Sequence, residues 1–157
     1  MENNDQIENH DPIENHDQIR SPAWVHHAQV RTDADLLAVW RALLEPLGFE
    51  RRTLWVIFLD PRGRPAPAII PIDDIPQWPD DDFLSGLATV AGHVCSDLGE
   101  GSRVAFLLSR PGRSLGDPSD LEWALQLVRS VPGSHVVHLA NDVALRQVTP
   151  DELVAAG

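Results

Sequence analysis

Residues 104–131, VAFLLSRPGRSLGDPSDLEWALQLVRSV, constrain the fold more than any other stretch of the chain. An apolar run stops at Ser109-Arg110-Pro111-Gly112, a polar loop follows, and an amphipathic segment opens at Pro118-Ser119. Leu121, Ala124, Leu125 and Val128 recur at helical period, whereas Val104–Leu108 is continuously apolar and of strand length. A strand that empties into a loop at a helix N-terminus is where α/β proteins commonly hold ligands and catalytic groups. Ser119 is expected as N-cap of that helix, with Glu122 at the reciprocal position of a capping box.

The flanking segments place this unit in a mixed sheet. Thr32 and Asp35 have capping-box spacing, and Leu36, Leu37, Trp40, Leu43, Leu44 and Leu47 form a helical stripe. Thr53–Leu59 reads as a strand, turned at Asp60-Pro61-Arg62-Gly63 into a returning strand, Ala68–Ile72. Pro71 has no N–H for a ladder, which assigns that strand to an edge or a break. An acidic loop, Asp73–Asp82, carries Trp78, and its last Asp is expected to cap a helix from Phe83 to Leu98. Gly86 and Gly92 either weaken that helix or admit a close neighbour. Arg103–Ser109 is the third strand, and 135–140 with 144–149 make a hairpin around Asn141-Asp142-Val143. The fold class is therefore α/β (α+β): a single mixed β-sheet flanked by helices, in the order α-β-β-α-β-α-β-β. The domain spans 32–153, with a linker arm over 22–31 and a short tail over 154–157.

Residues 1–21 differ from the rest in composition. Asn4-Asp5-Gln6-Ile7-Glu8-Asn9 begins an imperfect six-residue repeat in which isoleucine returns once per unit. So sparse an apolar pattern cannot offset the entropy of ordering, and an acidic low-complexity disordered tail is expected. The chain as a whole carries a formal charge of −12, which disfavours non-specific attraction to nucleic acid or anionic lipid. Its apolar runs are too short to cross a bilayer, and the acidic N-terminus does not read as a signal peptide. The single cysteine, Cys95, excludes an internal disulfide framework and a multi-cysteine zinc ribbon. These features set the expectation of a cytoplasmic protein.

No compact metal-ligand set emerges, and no cofactor is expected. His10 and His16 match no ligand spacing, adjacent His26 and His27 point apart on a strand, and His135 and His138 project to opposite strand faces. Cys95 lies on the apolar stripe of its helix, as a core thiol does. The loop after Ser109 has a different chemistry: Arg103, Ser109, Arg110, Gly112, Arg113 and Ser119 are candidates for holding a phosphate or carboxylate. The plain structural account of the same arginines is pairing with Asp117 or Asp120. Trp24 and Trp78 are candidate anchors for a protein partner, since aromatic side chains are enriched at interfaces.

Over 31–153 the chain resembles the JAB domain, also called MPN or JAMM, and within it the bacterial RadC-like branch. The resemblance rests on LWVIFLDPRGRP, VAFLLSRPG, DPSDLEWALQLV and HVVHLANDVALRQVTPDEL, in that order. It implies cytidine-deaminase-like layering. Active members hold zinc with His-x-His-Pro at the end of the central strand and an Asp about ten residues on, while an upstream Glu serves as general base. Here His-x-His-Pro becomes Leu108-Ser109-Arg110-Pro111, the Asp has a counterpart in Asp120, and the Glu position falls near Ile69. An aliphatic side chain cannot ligate zinc and a guanidinium repels it. The resemblance thus implies a catalytically inactive domain acting as an interaction or scaffold module, through an unknown protein partner or self-association. The alternatives are an anionic-ligand binder using Arg110 and Arg113, and a metal-dependent isopeptidase or nuclease with a rebuilt site.

Overall fold

The computed structural model describes residues 25 and 27–157 and the backbone of Ile19–Arg20, with the His135 side chain excepted. The hexapeptide repeat before Ile19, with His10 and His16, and also Trp24 and His26, lie outside the described residues. One mixed sheet organises the chain. In sequence order the elements are β1 (Ile19–Arg20), α1 (Asp33–Leu44), β2 (Thr53–Leu59), β3 (Pro65–Asp73) and α2 (Asp81–Leu98). Then come β4 (Arg103–Ser109), α3 (Pro118–Ser130), β5 (Ser134–Ala140), β6 (Leu145–Gln147) and α4 (Pro150–Ala156). The expected order α-β-β-α-β-α-β-β is present, extended by β1 at one end and α4 at the other.

The sheet runs β1-β3-β2-β4-β5-β6. All neighbours are antiparallel except β4 and β5, which are parallel and joined through the crossover helix α3. Central β2 and β4 are buried along almost their whole length because both sheet faces are covered. Alternate residues of each strand serve opposite cores. On one face Leu54, Val56, Phe106 and Leu108 pack with Leu84 of α2 and Trp123 and Leu127 of α3. On the other, Ile57, Ile69, Ala105 and Leu107 pack with Leu36 and Trp40 of α1. Pro71 sits in β3, paired with Trp55 of β2 and beyond the two residues matched by β1, so no described residue pairs with it on the β1 side, where a missing N–H is tolerated.

Helix starts agree largely with local chemistry, and the expectations are corrected at α2, α3, α4 and Ile19–Arg20. Thr32 and Asp35 form the expected reciprocal capping box of α1. The N-cap of α2 is Asp80, which accepts from the Asp82 N–H, rather than Asp82 itself. In α3 the N-cap is Asp117 and its reciprocal partner Asp120, displacing Ser119 and Glu122 from those roles. The charged Asp117 carboxylate accepts from the Asp120 N–H at 2.9 Å and from the Ser119 hydroxyl at 2.6 Å, which places Ser119 inside the first turn. The third correction is α4, which continues to Ala156 where a tail was expected after residue 153. Ile19–Arg20, placed by composition in the low-complexity tail, pair with Ile69 and Ala68.

Gly86 and Gly92 face open space rather than a close neighbour, since a side chain at either would meet nothing within 4 Å. Neither therefore admits a close neighbour, and each weakens its helix. Gly86→Ala is expected to raise the unfolding free energy by about 0.5–1 kcal/mol, read as a higher urea midpoint at unchanged slope.

Candidate functional site

The parallel pair β4 and β5 ends at one edge of the sheet, and the loop 110–117 leaves from there to α3. Arg110 continues the ladder, donating its N–H to the Ala140 carbonyl at 3.1 Å. Its side chain belongs to the face of Leu108 and turns toward the first turn of α3. There Nε and Nη2 donate to the two carboxylate oxygens of Asp120 at 2.8 and 2.7 Å, a bidentate ion pair. Asp120 is 2% exposed and the Arg110 side chain 13%. Nη2 also reaches the Ser114 carbonyl at 2.7 Å and Asp117 Oδ2 at 3.3 Å. Arg52, just before β2, stands 3.7 Å from the other side of Asp120. Asp120 further accepts from the Gly116 and Asp117 N–H groups, so its carboxylate is surrounded by donors.

The electrostatics follow from this geometry. The hydrogen bond to Asp120 holds the Arg110 guanidinium above its ordinary pKa, against the opposing effect of burial. At Asp117 burial pushes the carboxyl up, but the Ser119 hydroxyl, the Asp120 N–H and the charges of Arg110 and Arg52 outweigh it and the net shift is down. Asp142, just after β5, closes the loop from the other side. It accepts from Gly112 N–H at 2.9 Å and Phe49 N–H at 3.0 Å, and these bonds lower its pKa. Asn141 Oδ1 accepts from Val143 and Ala144 and shapes the turn into β6.

The sequence-derived anion candidates do not converge. Arg103 lies at the opposite end of β4, where it donates to the Val30 carbonyl at 3.2 Å. Ser109 is fully buried on the α1 face and accepts from Trp55 Nε1 at 2.9 Å. The Gly112 N–H is held by Asp142 and the Ser119 hydroxyl by Asp117. Arg110 is bound by carboxylates, and Arg113 is exposed beside Asp142. Of the four positions singled out as degenerate ligands, Arg110 and Asp120 meet. Leu108 is 4% exposed in the α2–α3 core, and Ile69 packs on the opposite face against α1.

The remaining titratable candidates have structural settings. Cys95 is half-buried on α2, and burial raises its thiol pKa, which lowers its thiolate fraction. His138 is buried within β5. Among the described residues no three His, Cys, Asp or Glu side chains gather to hold a metal ion. No helix of the described residues is long and apolar enough to cross a membrane. Trp78 is 51% exposed at the surface of the β3–α2 loop. That loop is pinned from below by Trp123, whose Nε1 donates to the carbonyls of Pro76 and Gln77, both at 3.0 Å.

Arg52, Asp142 and the Arg146–Glu152 pair are structural residues that sequence reasoning missed. The last had a readable signal, because Thr149-Pro150-Asp151-Glu152 is a capping box with proline at the first helical position. Arg146 grips Glu152 through two bonds of 2.8 and 3.0 Å and, as the leading cause, lowers its pKa from 4.5 to about 2. A depressed folded-state pKa stabilises above the unfolded value and loses that contribution as pH falls through the folded one. Stability is therefore expected to decline between pH 4.5 and about 2, and Glu152→Gln to flatten that limb of a urea-midpoint profile. A profile unchanged by the substitution would contradict the assignment.

Comparison with protein-family models, with curated proteins and with solved structures finds no match in any of the three. The chain is thus defined by its own fold and loop chemistry: an α+β domain whose central strand delivers an arginine onto a buried aspartate.

Proposed function

We propose that this chain is a catalytically inactive JAB-like domain that works as a protein-interaction or scaffold module in the cytoplasm. The observation that carries the reading is the bidentate Arg110–Asp120 pair at the end of β4. In an active member of the resembled family that Asp would face a metal ion. Here a guanidinium fixed in the chain supplies the positive charge, and a metal would have to approach against it. Leu108 adds an aliphatic side chain at the first ligand position, and Ile69, on the other face of the sheet, offers no general base. The chemistry of the residues at the loop is that of a brace: it fixes the start of α3 and joins β2, β4 and β5 through Arg52, Arg110 and Asp142.

The test is affinity purification of the full chain from its native lysate under quantitative detection, with sedimentation of the purified protein alongside. The reading predicts a stoichiometric partner or self-association. A monomer that retains no partner contradicts it.

A further inference from the structure

A groove of about 340 Å³ opens between the flank of α2 and strands β2 and β3. Phe58, Ile70 and Ile72 form its floor, Leu87 and Val90 its wall, and among the described residues Asp82 is its only charged lining residue. Val90 is 55% exposed although it lines an apolar surface. The groove stays open because Gly86, also in its wall, brings no side chain and would meet nothing if it did. Asp80, Asp81 and Asp82 cluster at its α2 end. Among the described residues no ion pair reaches them.

Three occupants are physically distinct. The chain's own N-terminal segment is disfavoured by register. Ile19 faces Ile69 and Arg20 faces Ala68, so a longer β1 would set Gln18 against Ile70 and His16 against Ile72. Those polar side chains, not isoleucines, would then share the groove face, and the segment's acids would meet Asp82. A second copy would bring another chain of charge −12 to an acidic mouth, and Pro71 removes an edge donor that strand pairing needs. The remaining occupant complements both the apolar floor and the acidic end.

We propose that this groove is the docking surface of the module, and that it takes an apolar segment of a partner protein flanked by lysine or arginine. The proposal rests on the interaction-module reading above and assigns its surface. Apolar side chains of the segment lie on Ile70, Ile72 and Leu87, and its basic flank meets Asp81 and Asp82.

The probe is a fluorescein-labelled peptide of leucine and lysine, with a leucine–glutamate peptide as counterpart, titrated against the full chain by anisotropy. The lysine peptide is expected to bind and the glutamate peptide not. Gly86→Leu fills the groove without touching its charge and is expected to weaken binding about tenfold or more. Gly92→Leu, which adds the same side chain to α2 outside the groove where nothing lies within 4 Å, is the folding control and is expected to leave binding within about twofold. Asp81→Asn with Asp82→Asn is expected to weaken binding severalfold and flatten its salt dependence. Binding that survives Gly86→Leu overturns the proposal, and so does absence of binding. Methyl NOEs from Ile7 or Ile13 to Leu87 or Val90 would give the groove to the N-terminal segment, and a dimer abolished by Gly86→Leu would give it to a second copy; either result overturns it too. If wild type and Gly86→Leu retain the same lysate partner, the groove assignment falls while the module reading stands. If the lysine peptide binds as expected but the chain retains no lysate partner and does not self-associate, the module reading falls by itself.

Discussion

Arg110→Ala is expected to lower the unfolding free energy by about 3–4 kcal/mol, because it leaves a carboxylate buried without its principal cation. Asp120 is 2% exposed and receives both of its strongest bonds from Arg110. Arg52, at 3.7 Å, is too far to replace them in their present geometry, although it keeps the cost below that of a wholly isolated charge. Arg110→Lys is expected to recover only part of the loss, since a single ammonium cannot reproduce the two parallel bonds. Coupling separates this account from a general packing defect. Arg110→Ala combined with Asp120→Asn is expected to be about 1 kcal/mol or more better than the sum of the single variants, because the amide carries no charge to strand. Urea denaturation of the four proteins gives the cycle directly. Strict additivity would mean that the pair is not the linkage described.

Trp123→Ala is expected to cost about 3–5 kcal/mol, the range for removing a large buried aromatic side chain. Trp123 is fully buried between α3 and the sheet and meets Phe83 of α2 edge-on, with ring centroids 5.7 Å apart. It also supplies the donor for two carbonyls of the β3–α2 loop. Trp123→Phe keeps most of the volume and loses that donor. Since Pro76 and Gln77 are exposed and water can replace the indole, its cost is expected near about 1 kcal/mol. The informative readout for Trp123→Phe is local: amide exchange around Trp78 should accelerate while exchange in β4 stays at the global rate. Unchanged exchange at the loop would show that the indole bonds do not hold it.

The parts of this fold that are local in sequence were legible in it. β2 and β4 announce themselves as apolar runs, the Thr32–Asp35 box marks the start of α1, and Pro71 signals a strand position that the described part of β1 does not pair. Capping at α3 was misread by two residues because Asp117-Pro118-Ser119-Asp120 offers three oxygen-bearing side chains, and spacing alone does not say which one caps the backbone turn. The structure selects Asp117 since Asp120 is then free to return a bond and to meet Arg110. Pairing of the loop arginines with Asp117 or Asp120 was a readable alternative to anion binding. Arg52 as a further partner was not, because it arrives from the segment that leads into β2, far earlier in the chain. Sheet faces were equally hidden. Ile69 and Leu108 read as neighbours of one degenerate site, yet the pairing registers set them on opposite sides of β2. A one-residue difference in register reverses every side chain of a strand, and that register is decided by long-range packing.

Under the proposed function, the Arg110 guanidinium stands beside Asp120 where an active member of the resembled family would hold a metal ion. Elemental analysis of the full chain, purified after expression in zinc-replete medium, tests this reading most directly. The account predicts no stoichiometric zinc in the wild-type protein, and none gained when zinc is added to the purified chain. A stoichiometric zinc ion that is lost on Asp120→Asn would contradict it.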